Sequence, residues 1–130
     1  MDAQNSFPTI RPRRLRHSAT LRSMVRETNV KASDFIYPMF LIHGENEARP
    51  IESMPGISQF TVDRAVAEAK AAEALGVASV LLFGIPAHKD PVGEENFDDN
   101  GIVQRAIRAI KSETSLVVVT DVCLCEYTDH

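Results

Sequence analysis

The sequence predicts an α/β protein built on a parallel sheet, and three observations predict it. Three short apolar runs, Phe35–Ile42, Val77–Phe83 and the stretch opening at Leu116, are rich in β-branched and aromatic residues and read as strands. Between them lie two segments whose apolar residues recur at helical spacing. The resulting order is strand, helix, strand, helix, strand. Two successive βαβ crossovers of this kind give parallel strands with right-handed connections.

In chain order, residues 1–20 show neither helical nor strand periodicity. Pro8 and Pro12 discourage regular structure, and Arg11-Pro12-Arg13-Arg14-Leu15-Arg16 cannot bury itself, so an extended arm is expected, ordered only by docking. Thr20 to Val30 predicts a short helix, capped by Thr20, with Leu21, Met24 and Val25 facing inward. Phe35–Ile42 is the first strand, with Pro38 placing it near a strand end or bulge. His43–Phe60 reads as a long polar connection broken by Pro50, Pro55 and Gly56.

Thr61 is expected to cap a helix over Val62–Leu75, with Asp63 in the first turn where the helix dipole favours negative charge. Val62, Ala65, Val66, Ala69 and Ala72 form its apolar face, and Gly76 ends it. Val77–Phe83 follows as a fully buried strand that stops at Gly84-Ile85-Pro86. After the acidic loop Ala87–Asn100, Asn100 or Asp99 caps a helix over Ile102–Lys111 with Ile102, Val103, Ala106, Ile107 and Ile110 buried. Leu116-Val117-Val118-Val119-Thr120 is the third strand, read as buried on both faces.

Three parallel strands leave two unpaired edges and an uncovered face. A (β/α)₈ barrel takes about 250 residues, so the chain is expected to form the N-terminal part of such a barrel: residues 33–130 as the first three strands and two helices, residues 1–32 as an arm. A small doubly wound sheet is the competing architecture. The chain ends on a third strand with no closing helix, which favours the barrel.

Composition excludes several classes. At 44% hydrophobic and 25% charged residues the 130-residue chain is globular. No apolar run approaches the roughly 20 residues that span a bilayer, and no secretory signal is visible, so a reducing cytoplasm is expected. The net charge is −4. It is uneven: residues 1–31 carry seven Arg/Lys against Asp2 and Glu27, and the remainder is strongly acidic. A basic arm on an acidic body suits contact with a neighbouring copy better than nucleic acid, because the arm has one aromatic, Phe7, and no nucleic-acid module.

The chemistry is concentrated in Asp121-Val122-Cys123-Leu124-Cys125. Functional residues in parallel α/β folds gather at the carboxyl ends of strands, where Asp121, Cys123 and Cys125 fall. Thiolates at i and i+2 of extended backbone point the same way and can share one soft cation, although zinc wants three or four ligands. His130 is a further donor in range. Two buried cysteines acting as small hydrophobes is the equally weighted alternative. Of the four lysines, Lys31, Lys70 and Lys111 are misplaced for Schiff-base chemistry. Lys89 lies on the correct side but in a solvated loop. Ser, His and Asp all occur, but nothing arranges them as a triad, and Gly84 and Gly93 stand alone rather than in a phosphate loop.

Together, Arg11-Pro12-Arg13-Arg14-Leu15-Arg16, Met54-Pro55-Gly56, Leu82-Phe83-Gly84-Ile85-Pro86 and Asp121-Val122-Cys123-Leu124-Cys125-Glu126-Tyr127-Thr128-Asp129-His130 resemble the porphobilinogen synthase (5-aminolaevulinate dehydratase) family in its zinc-dependent branch. The resemblance runs from Arg11 to His130. It implies a TIM barrel whose N-terminal arm wraps a neighbouring subunit in a homo-octamer. It also implies condensation of two 5-aminolaevulinate molecules to porphobilinogen with loss of water, in tetrapyrrole synthesis. Cys123 and Cys125 match the first two of three zinc-binding cysteines, the third lying beyond His130. Asp121 matches an acidic residue beside the active site. The two Schiff-base lysines belong to later strands, so the fragment alone is expected to be inactive. The alternative is a stand-alone metal-binding or interaction protein without catalysis.

Overall fold

A computed structural model describes residues 12–130. They fall into two compact units, one ending at Val30 and the other Lys31–His130. The expectations for residues 1–11 lie outside the described residues.

In the first unit, Pro12–Arg16 is a 3₁₀ helix, so the arm is not extended from Pro12 onward. Proline is at home in a first helical turn, which explains the start. The helix α1 runs Ala19–Met24, capped by Ser18, whose hydroxyl accepts from the Leu21 amide at 3.0 Å; the cap expected at Thr20 is displaced by two residues. None of its residues is buried, and Met24 is 78% exposed, contrary to the inward face expected. With no apolar face to bury, nothing beyond weak local propensity extends it to Val30.

In the second unit the strands β1 (Ile36–Leu41), β4 (Ser79–Gly84) and β5 (Val117–Thr120) take the three apolar runs, and the helices α2 (Val62–Ala74) and α3 (Ile102–Glu113) take the two amphipathic segments. Ile36 to Leu41 of β1 pair in parallel with Ser79 to Gly84 of β4, and Ser79 to Leu82 pair in turn with Val117 to Thr120 of β5. Pro38 fits because alternation points its nitrogen away from β4, where no ladder bond is lost.

The stretch His43–Phe60 is more than a connection. It contains β2 (Ala48–Pro50) and β3 (Ser58–Phe60), an antiparallel hairpin, and β3 also pairs in parallel with Phe40 and Leu41. The sheet therefore has five strands, in the order β2-β3-β1-β4-β5, rather than three. Ile51 and Ile57 close the hairpin through a 2.9 Å amide-to-carbonyl bond, and Gly56 turns at φ 85°, a conformation that favours glycine. Strands of three residues carry too little periodicity to stand out in sequence.

Met39, Leu41, Val80 and Leu82 on one face of the sheet pack with Ala65, Ala69, Ile102, Ala106, Ile110 and Leu116, all essentially buried. The small residues of α2 let the helix lie close on the strands. Tyr37 ties the same layers, donating its hydroxyl to Glu68 at 2.8 Å; burial, with the neighbouring carboxylate, pushes its pKa up to about 12. The opposite face, carrying Ile36, Val117 and Val119, stays open, and these residues are 56%, 59% and 38% exposed. β5 is thus covered on one face only and the outward residues of β4 are half-buried, rather than both strands being buried on both faces as the apolar runs suggested.

Candidate functional site

The βα loops gather polar groups at the carboxyl end of this sheet. His43 lies two residues past β1, and Glu95 lies in the loop between β4 and α3, inside a 3₁₀ helix Glu94–Phe97. His43 Nε2 and Glu95 Oε1 are 2.7 Å apart. The same carboxylate accepts from the Ile102 amide at 3.0 Å and the Ala87 amide at 3.2 Å. Glu95, not Asn100 or Asp99, is therefore the side chain that caps α3, whose N-cap residue is Gly101. The carboxylate gains two bonds to free amides and the favourable end of a helix dipole. Thr61 likewise heads α2 without a side-chain cap; its hydroxyl instead bonds the Glu47 backbone, accepting from the amide at 3.0 Å and donating to the carbonyl at 3.2 Å.

Burial acts to raise the Glu95 pKa, but the bonds from His43, Ile102 and Ala87 outweigh it and bring the carboxyl below its usual range. A carboxyl depressed in the fold stabilises it above the unfolded pKa of about 4.3, and that stabilisation is lost as pH falls through the folded value. Glu95→Gln is expected to be less stable than the parent by about 1–2 kcal/mol at neutral pH, the worth of charging these bonds. In urea titrations the gap closes as the pH drops below about 4; a gap independent of pH contradicts the assignment. A cleft of about 520 Å³ opens beside this pair, lined by His43, His88, Asp90, Glu94, Glu95 and Phe97 among others.

Asp121 follows β5 directly and is exposed; its amide donates to the Leu82 carbonyl at 3.2 Å, one step beyond the ladder. The two cysteines do not sit on extended strand. β5 ends at Thr120, and Cys123 and Cys125 lie in the loop and turn that follow, both free and exposed. The turn, not strand alternation, brings them together: the Cys125 amide donates to Cys123 Sγ at 3.4 Å. The hydrogen bond with Cys123 pushes the Cys125 thiol up, and the neighbouring Cys123, Glu126 and Asp121 charges add to the effect. His130 is exposed, and its Nδ1 lies 3.7 Å from Asp129 Oδ1. Among the described residues no three His, Cys, Asp or Glu side chains are arranged to hold a metal ion. Two thiols on one turn fit a thiophilic cation as half of a tetrahedral set.

The loop after β4 clamps this segment. The Asp90 amide donates to the Tyr127 carbonyl at 3.1 Å, and the Asp129 amide returns to the Asp90 carbonyl at 3.3 Å. Asp90 Oδ1 and Oδ2 fold the loop back by accepting from Val92 and Glu94 amides, the nearest at 2.9 Å. Tyr127 is 6% exposed, and a Cβ on Gly84 would collide with its hydroxyl and with Val103. Lys89 Nζ donates to the Cys125 carbonyl at 2.8 Å. The sequence reading missed His43 and Glu95. The rule that functional groups follow strand ends, applied to the first strand as it was to the third, would have found His43.

A mostly parallel sheet flanked by helices on one face, with its polar groups gathered at the strand carboxyl ends, is a layout shared by (β/α)₈ barrels and open α/β folds. The chain belongs to the delta-aminolevulinic acid dehydratase family, whose pattern matches residues 9–130. It is 52% identical over 125 residues to the delta-aminolevulinic acid dehydratase of Synechococcus elongatus, covering 95% of this chain and 38% of that protein. It is 48% identical over 132 residues to that of Methanothermobacter thermautotrophicus, covering 100% of this chain and 40% of the relative. The crystal structure of delta-aminolevulinic acid dehydratase (porphobilinogen synthase) from Toxoplasma gondii, in complex with the reaction product porphobilinogen, superposes with a TM-score of 0.85. It is 34% identical and covers 92% of this chain and 35% of that one. The fold is accordingly the N-terminal part of a (β/α)₈ barrel. The chain spans about two-fifths of the length of these curated relatives.

Proposed function

We propose that this chain is the N-terminal portion of a zinc-dependent porphobilinogen synthase, which condenses two 5-aminolaevulinate molecules to porphobilinogen with loss of water. The observation that carries the reading is the delivery of Asp121, Cys123 and Cys125 together past the carboxyl end of β5, in a chain that matches the family over residues 9–130. The superposable relative holding porphobilinogen supports the substrate class. Cys123 and Cys125 supply two thiolates to zinc, and a third ligand comes from elsewhere in the protein. Zinc, when bound, supplies a Lewis acid able to polarise a substrate carbonyl. Asp121 places a carboxylate beside that position and favours positive charge developing on the substrate.

The covalent step is assigned elsewhere. Iminium formation needs a lysine desolvated in a pocket, and all four lysines here are exposed. Lys70 pairs with Glu113 at 2.6 Å, Lys89 binds the Cys125 carbonyl, and Lys111 donates to the Leu116 carbonyl at 3.3 Å. Borohydride reduction of the full-length protein with 5-aminolaevulinate is expected to trap adducts only outside residues 1–130. An adduct mapped to Lys31, Lys70, Lys89 or Lys111 overturns this division of labour.

Residues 1–32 act as a subunit-contact arm and 33–130 as the opening part of the barrel, assembling into a homo-oligomer such as the octamer. The described part of the arm supports this by charge: Arg13, Arg14, Arg16, Arg22 and Arg26 are exposed, on a chain of net charge −4. No helix among the described residues is long and apolar enough to cross a membrane. Two free, exposed thiols suit the reducing cytoplasm.

A further inference from the structure

The segment carrying the two cysteines has no regular structure of its own between Thr120 and the turn at Cys125–Tyr127. It must be held from outside if two sulfurs are to meet one ion. Bonds from β4 and from the loop that follows it do this, together with bonds inside the turn itself. The Asp121 amide continues the sheet ladder onto Leu82, and the Tyr127 and Thr128 amides close the turn on the Leu124 carbonyl at 2.9 and 3.0 Å. Asp90 bridges the backbone at Tyr127 and Asp129, which anchors the far side of the turn. Between these anchors, the contact that reaches a cysteine residue from another loop is the 2.8 Å bond from Lys89 Nζ to the Cys125 carbonyl.

We propose that Lys89 is a positioning residue for the thiol pair: its ammonium grips the Cys125 carbonyl and sets the turn on which Cys123 and Cys125 face one ion. The inference rests on the reading of these cysteines as metal ligands. Three features converge on it. A charged donor makes a stronger hydrogen bond to a carbonyl than a neutral one. Asp121, Glu126 and Asp129 make the segment locally acidic, and Lys89 brings a cation against it. Lys89 also directly precedes Asp90, so one short piece of the β4–α3 loop supplies both the side-chain grip and the main-chain bridge. Groups that orient metal ligands without touching the metal commonly change affinity by about 10- to 100-fold when removed.

The test uses the full-length protein. Lys89→Met keeps the stem and removes the donors, and Lys89→Arg keeps a charged donor. Lys89 is exposed, so neither change disturbs the core. Zinc affinity, read by competition with a chromogenic chelator, is expected to fall about tenfold or more in Lys89→Met. In the cobalt-substituted protein the sulfur-to-cobalt charge-transfer band is expected to weaken, with the thermal midpoint unchanged. Lys89→Arg is expected to restore both signals. Wild-type affinity and band in Lys89→Met overturn the proposal, as does a Lys89→Arg protein no better than Lys89→Met. Cys123→Ala separates the two levels: unchanged zinc affinity there removes the ligand reading itself. A loss there with Lys89→Met silent removes only the role given to Lys89.

Discussion

Leu82→Ala is expected to lower the stability of the chain by about 2–5 kcal/mol, the usual range for emptying a fully buried leucine site. Leu82 is 0% exposed and sits in β4, where it pairs with Met39 on one side and Thr120 on the other. It belongs to the buried cluster that joins the sheet to α2 and α3, which also holds Ala65, Ala69 and Ala106. The alanines make the cavity hard to close, because small side chains have no alternative rotamer that reaches into it. The measurement is the denaturant midpoint against wild type. Val119→Ala is the internal control, because Val119 is 38% exposed on the open face and should cost about 0.5 kcal/mol or less. Equal costs at the two positions contradict the finding that the helices cover only one face of the sheet.

The second large effect concerns metal. Replacing Cys123 and Cys125 together by serine is expected to abolish zinc binding in the full-length protein at micromolar metal. Serine hydroxyls are poor ligands for a cation that selects thiolate and imidazole. The loss should appear without loss of fold, because both cysteines are exposed and neither belongs to the buried cluster. Equilibrium dialysis with circular dichroism on the same sample separates the two. Metal retained stoichiometrically by the double variant removes the zinc assignment from this turn.

Much of this was legible in the sequence because it depends on short-range pattern. Val62, Ala65, Val66, Ala69 and Ala72 announced α2, and Ile102, Ala106 and Ile110 announced α3, since period and burial coincide on a helix packed against a sheet. The runs around Ile36–Leu41, Ser79–Gly84 and Val117–Thr120 announced the parallel strands. Other elements were not legible. β2 and β3 are three residues each and exist through their pairing with one another and with β1. The cap of α3 comes from Glu95, seven residues before the amide it binds, which no local capping pattern encodes.

The cysteine segment divides along the same line. Sequence by itself determined the order of the three longer strands and the two packed helices, the membership of the family, and the presence of Asp121, Cys123 and Cys125 just past the last of those strands. These follow from side-chain chemistry and from periodicity along a few residues. Only the tertiary structure decided that β5 stops before the cysteines, that a turn rather than a strand pairs them, and that Lys89 and Asp90 hold that turn. The reason is physical. An irregular segment takes its shape from hydrogen bonds to distant chain, here across 36 residues from Lys89 to Cys125, and such contacts leave no period in the sequence to read.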